Sequence, residues 1–227
     1  MNGIDKRSKR VVFVSQCILN QNLRFPGIAV SSAACNELIG MLLRHDLGIE
    51  TLPCLERLGW GGIARQSYFR YQKILLRYAG TPFYGALKQL SRLWVFQYRL
   101  RCRKEARRVV RFIIDYRSSG YTVAGIVAMN DSPTDGVSQT IDLINAPMKI
   151  KTLGIDPDLF QQPNLDDMKK VIPRLCDEGT GIFMSCIMKE LEKKMITINT
   201  VGYDPWGDPG VEAQRVEEKL GFRMKNQ

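Results

Sequence analysis

The sequence predicts an α/β domain of Rossmann-like kind, three layers deep, around a mostly parallel sheet of about five strands. Three observations predict it. Short β-branched runs recur along the chain, helical spacing fills the intervals between them, and the segments richest in Gly, Cys and polar residues come directly after the runs. Strands alternating with helices favour parallel pairing through right-handed crossovers. A length of 227 residues suits one domain, residues 1–227, with enough chain to bury a real core.

The elements follow in order. Residues 11–15 form the first apolar run and the first expected strand. Residues 32–44 carry Leu38, Met41 and Leu42 at helical spacing, and the His-Asp-Leu-Gly that follows is a stop signal. A second strand is expected over 49–52. Residues 85–117 are the longest helical candidate, whole or broken into two. A third strand covers 123–129. A helix over 166–177 has Asp166 in its N-cap region and Gly179 as terminator. The fourth and fifth strands are expected at 181–185 and 196–202, with a helix over 188–194 between them. After Gly210 the charged tail reads as a short surface helix.

The bulk properties exclude several classes. Apolar content of 44% with 25% charged residues is that of a soluble globular chain. The longest apolar runs, such as 123–129, fall far short of the roughly 20 residues of a membrane helix, so no membrane partner is expected. Residues 1–10 are polar and basic, and Ser15, Gln16 and Asn20 interrupt the apolar run after them. That is no signal peptide, and a cytoplasmic location is the expectation. Six cysteines without a secretion signal favour free thiols or metal ligation over disulfides. The absence of CxxC and the single histidine exclude zinc-finger spacing, so cysteines that share a metal must converge from distant positions. A net charge of +10 favours anionic partners.

That convergence is what the strand order offers. Gln16-Cys17 follows the first expected strand and Pro53-Cys54 the second. Asn130-Asp131-Ser132-Pro133-Thr134-Asp135-Gly136 follows the third, and Cys186 the fourth. Open α/β sheets bind ligands at the carboxyl ends of their strands. Cys35, Cys102 and Cys176 lie within helical patterns and are expected in the core. His45 reads as a helix-end residue, and Gly27, Gly59, Gly61 and Gly62 as turn residues.

Three segments carry a resemblance to a known family. The stretch from Ser15-Gln16-Cys17 through Arg24-Phe25-Pro26-Gly27 resembles the opening S-x-C-L-L-G-x-x-x-R-Y-x-G of the 2-thiouracil desulfidases. Pro53-Cys54-Leu55-Glu56-Arg57-Leu58-Gly59, followed by Arg65, is similar to P-x-C-P-E-x-x-G-G-L-x-x-x-R. Ser132-Pro133-Thr134-Asp135-Gly136-Val137 matches S-P-S/T-C-G-V except that Asp135 stands at the cysteine. The resemblance spans about residues 11–137, with Thr180-Gly181-Ile182-Phe183 also similar. It implies a 4Fe-4S cluster held by three thiolates, with one iron open to bind and polarise a thiocarbonyl. It also implies a catalytic serine, here Ser132, and a glutamate near the second cysteine, for which Glu50 and Glu56 both qualify. The substrate implied is a small thiolated nucleobase or nucleoside. Asp135 leaves three readings open. The carboxylate ligates iron itself, Cys186 supplies the third thiolate, or the chain holds no cluster and keeps a pocket lined by Cys17, Cys54, Asp135 and Ser132.

A different expectation comes from the basic helical segment 85–117. Arg99, Arg103, Arg107 and Arg111 stand at i, i+4 steps, with Arg101, Lys104 and Arg108 beside them and Glu105 the single acid among them. Like charges at that spacing repel slightly. The stripe reads either as a solvated face or as an RNA-facing surface, and with Tyr84, Trp94 and Tyr98 nearby it supports a cluster-free nucleotide- or RNA-binding protein as the second function. Residues 67–99 match no motif.

Overall fold

A computed structural model describes residues 5–222; residues 1–4 of the basic amino terminus and 223–227 of the charged tail lie outside the described residues. In chain order the first elements are β1 (Arg10–Ser15), α1 (Gln16–Leu19), α2 (Asn36–Arg44), β2 (Gly48–Leu52) and α3 (Leu55–Gly59). Then come α4 (Gln66–Tyr78), α5 (Tyr84–Ser118), β3 (Thr122–Met129), β4 (Gln139–Ile141) and α6 (Ala146–Thr152). The last are α7 (Leu165–Leu175), β5 (Cys176–Glu178), α8 (Ile182–Lys193), β6 (Thr200–Tyr203) and α9 (Pro209–Lys219).

The expected three-layer α/β architecture is present, with a parallel sheet ordered β2-β1-β3-β6. Successive side chains of a strand point to opposite faces, and β1 shows it. Val12 and Val14 pack with Leu38, Met41 and Leu42 of α2 and with Val216 of α9. Val11 and Phe13 pack on the other face with Cys102, Ala106 and Ile113 of α5 and with Phe183 and Ile187 of α8. The register aligns Ser15 with Leu52 and Val14 with Val127, so three strands end nearly level.

This sheet has four strands rather than the expected five. Residues 181–185, expected as a strand, open helix α8. The run Gly-Ile-Phe-Met-Ser is too short for its period to separate a buried strand from a buried helix. Phe183, Met184, Ile187 and Leu191 all turn inward, which is helical spacing. Two further short strands, β4 and β5, pair antiparallel in a separate sheet.

The smaller differences also have causes. Residues 85–117 form one helix, because no Gly or Pro interrupts the stretch after Gly85. The N-cap of α7 is Asn164, whose side chain accepts from Asp167 N; Asp166 lies in the first turn. Helix α9 begins at Pro209, one residue before Gly210, and buries Glu212, Ala213 and Val216 rather than lying wholly at the surface. No described helix is long and apolar enough to cross a membrane.

The connections place the site. From β1 the chain crosses one face through α2 to β2, then crosses the opposite face through α5 to β3. The crossovers diverge between β1 and β3, and their carboxyl ends open the crevice where such sheets bind ligands.

Candidate functional site

A cavity enclosing about 870 Å³ of space between atoms, its open mouth included, sits at that crevice. Its floor comes from the segments after β1, β2 and β3, and Cys17, Cys54, Glu56, Ser132 and Asp135 all line it. The walls are apolar, with Leu23 and Phe25 on one side, Tyr68 of α4 on another, and Ile150, Phe160 and Ile172 from the span between β4 and β5.

The loop after β3 is fixed from within. Asn130 Oδ1 accepts from the backbone N–H groups of Val137 and Ser138, both at 3.3 Å. Ser132 Oγ accepts from Thr134 N at 3.1 Å and from Asp135 N at 2.9 Å. The same hydroxyl donates to Glu56 Oε1 at 2.9 Å. Gly181 lies so close that a Cβ there would stand 2.5 Å from the Thr134 carbonyl carbon, so the approach of α8 requires glycine. Thr134 and Tyr98 of α5 share a hydrogen bond of 2.9 Å between their hydroxyls.

Asp135 is 6% exposed. Ser15 Oγ donates to its Oδ2 at 2.8 Å, while its Oδ1 is buried with no hydrogen-bond partner among the described residues. Burial, reinforced by the Glu56 charge, raises this carboxyl to about 7, against the Ser15 hydrogen bond. Burial also pushes the Cys17 thiol well above its ordinary value, with the Asp135 charge adding to it. Cys54 rises to about 11 by burial and the Glu56 charge.

Arg65 organises the second segment. It is fully buried and has left-handed backbone, φ 51°. Its Nη1 donates to Gly62 O and its Nη2 to Leu23 O, both at 2.7 Å. Nη2 also approaches Cys54 Sγ at 3.5 Å and Glu56 Oε2 at 3.7 Å.

The two glutamates near Cys54 separate cleanly. Glu56 lines the cavity, whereas Glu50, in the middle of β2, accepts a hydrogen bond from Tyr116 Oη at 2.5 Å and is not among the lining residues. Cys186 does not line the cavity either. Its place at a strand end is lost with that strand, and it lies on α8 in the core shared with α5, where the Arg99 and Arg103 charges bear on it. Cys35 and Cys102 are buried as expected, and Cys176 is half-buried at the end of α7. His45 caps α2 and pairs with Glu217 at 2.5 Å.

Of the residues not singled out, Ser15, Arg24 and Arg65 lay inside the quoted motifs, where a signal existed. The pairing of Asp131 with Trp206 had none.

Among the described residues no three His, Cys, Asp or Glu side chains are arranged to hold a single metal ion. Two thiols and one carboxylate line one cavity, with Asp135 Oδ1 unpartnered among the described residues, and soft thiolates with one hard oxygen are donor types that an iron–sulfur cluster could take.

Comparison with known proteins gives one distant likeness to report. The chain is 27% identical over 129 residues, 57% of its length, to Uncharacterized protein MJ0003 of Methanocaldococcus jannaschii, covering 69% of that protein. No family model matches the chain. No solved structure matches it.

Proposed function

We propose that the chain is a desulfidase that hydrolyses the C=S bond of a small thiolated pyrimidine or related thiocarbonyl compound, with Cys17, Cys54 and Asp135 holding a 4Fe-4S cluster. The observation that carries the reading is the convergence of three motif positions, spread over residues 17–135, on one apolar cavity beside the Ser132–Glu56 pair. When bound, the cluster supplies an open iron as Lewis acid for the thiocarbonyl sulfur. The chain's own groups handle water. Ser132 is held at the cavity by two backbone N–H groups and by Glu56. Its hydroxyl, with both lone pairs on backbone N–H groups and its proton on Glu56, fixes that carboxylate, which orients the attacking water and takes its proton. Water oxygen bonds to carbon, the C–S bond breaks, and sulfur leaves as hydrogen sulfide. Arg65 holds Glu56 in position, and the apolar walls exclude bulk water.

The test is iron and acid-labile sulfide content after anaerobic purification, with sulfide release from 2-thiouracil. Cys17→Ala and Cys54→Ala are expected to lose iron and activity together. A colourless, iron-free wild type that resists reconstitution overturns the reading.

A separate observation favours a cluster-free nucleotide- or RNA-binding protein as the second reading. Arg99, Arg101, Arg103, Lys104, Arg107, Arg108 and Arg111 of α5 are all exposed, and the ion pair found among them is Arg108 with Glu105 at 3.9 Å. Binding of this kind would weaken steeply with salt.

A further inference from the structure

The catalytic reading leaves two charged groups on the cavity wall unused. Arg24 is 7% exposed and lines the cavity. Its Nε donates to Ile28 O at 3.3 Å, but its Nη2 is buried with no hydrogen-bond partner among the described residues. A buried guanidinium N–H without an acceptor is costly, so its place on a ligand cavity points to an acceptor on the ligand. Asp131 lines the same cavity at 6% exposure, in left-handed backbone with φ 65°. Strained non-glycine backbone persists where the surroundings enforce it, often at binding sites.

Trp206 links the two. The Arg24 guanidinium carbon lies 6.0 Å from the centre of its ring, and its indole N–H donates to Asp131 Oδ2. That bond leaves Asp131 Oδ1 as an acceptor, with the Cys176 thiol, a weak donor, as the carboxylate's other neighbour. The cavity lining therefore includes a donor and an acceptor that share Trp206 as a neighbour. Opposite charges on the two groups make the pair neutral overall. An anionic ligand group would meet Asp131 and Glu56 as well as Arg24, so a neutral polar edge fits better than a phosphate or carboxylate.

We propose that Arg24 and Asp131 read the amide edge of the bound ring, Arg24 donating to a carbonyl oxygen and Asp131 accepting the adjacent N–H. The inference deepens the desulfidase reading and rests on it for the identity of the ring: a thiolated pyrimidine that keeps one oxo-amide edge intact. Glu56 and Ser132 serve the reacting carbon, and Arg24 and Asp131 set which ring is accepted and how it lies.

The test is calorimetric titration of uracil, 1-methyluracil and 3-methyluracil into the full chain, which requires no turnover. Wild type is expected to bind uracil, and methylation of one of the two nitrogens weakens binding about 10- to 100-fold, the value of a hydrogen bond to a charged group. Arg24→Met and Asp131→Asn each weaken uracil by a similar factor. Asparagine tolerates left-handed backbone, so Asp131→Asn keeps the fold while exchanging an acceptor for a donor. In that variant the methylated and unmethylated rings differ by less than about threefold, because the acceptor that read the N–H is gone. Thermal melts check folding. Should Arg24→Met unfold, Arg24→Lys keeps the charge but not the fork, and is expected to bind uracil less tightly than wild type. The proposal is overturned by no uracil binding to wild type, by wild-type affinity in both variants, or by full sensitivity to methylation in Asp131→Asn. These results are separable from the chemistry. Selective binding without sulfide release from 2-thiouracil would overturn the desulfidase reading and keep this one, and turnover with unselective binding would do the reverse.

Discussion

Ser132 and Glu56, 76 residues apart in sequence, are joined by a hydrogen bond of 2.9 Å across the cavity floor. The bond ties the loop after β3 to the segment after β2 and brings a hydroxyl and a carboxylate together at the cavity. It also separates two glutamates that the sequence left equal: Glu56 lines the cavity, and Glu50 is held by Tyr116.

Exchange of that carboxylate separates binding from chemistry. Glu56→Gln keeps an acceptor for Ser132 but removes the proton acceptor, so kcat for sulfide release should fall about 100- to 10,000-fold with iron content unchanged. Glu50→Gln should leave kcat near wild type, because Glu50 holds Tyr116 instead. A larger loss from Glu50→Gln would sink the assignment.

Asp135 gives a pH dependence in the iron-free protein. Its carboxyl is raised from the ordinary 3.8 to about 7, so the native state holds a proton that the unfolded chain releases. Stability from this group is full below about pH 4, declines as pH rises, and is gone above about pH 7, on the order of 4 kcal/mol at most. Urea unfolding at pH 5 and pH 8 should show this decline in wild type and lose it in Asp135→Asn. A wild type and variant with parallel pH profiles would contradict the burial argument.

Both site thiols should be sluggish toward alkylation without iron. With Cys54 at about 11, its thiolate fraction at pH 8 is roughly 0.1%, far below that of a free cysteine. Peptide mapping after a timed iodoacetamide pulse checks this, and labelling of Cys54 at the rate of free cysteine would rule it out.

Arg65→Met removes a fully buried guanidinium that satisfies Gly62 O and Leu23 O and stands 3.7 Å from Glu56. The carbonyls and the carboxylate lose their partner together, so unfolding free energy should drop about 3–5 kcal/mol. A urea midpoint within error of wild type would show that Arg65 is dispensable.

The basic stripe of α5 predicts a gain. Arg103→Glu places an acid between Arg99 and Arg107 at i±4, replacing repulsion with attraction, and should raise stability by a few tenths of a kcal/mol. If the stripe binds RNA, the same change lowers affinity and flattens its salt dependence. Fluorescence anisotropy with a single-stranded RNA at low salt reads this, and unchanged binding removes α5 from the interface.

The sequence by itself determined the alternation that builds the sheet, because a β-branched run of period two and a helix stop signal are local properties. It also determined which segments meet. Cys17, Cys54 and Asp135 each follow a strand, and strands of a parallel sheet present their carboxyl ends on one edge. Tertiary structure decided the rest. Whether 181–185 was strand or helix depended on the layer that received it: it opens α8, which packs with α5 on one face of the sheet and carries Cys186 into that core rather than to the cavity. That Glu56 meets Ser132 while Glu50 meets Tyr116 depended on which side chains the fold brought within reach. The cavity walls from the span between β4 and β5 carry no motif, since an apolar wall is defined by what it encloses. Arg24, Trp206 and Asp131 meet only because β1, β3 and β6 lie side by side, a neighbourhood that no spacing within 227 residues encodes locally.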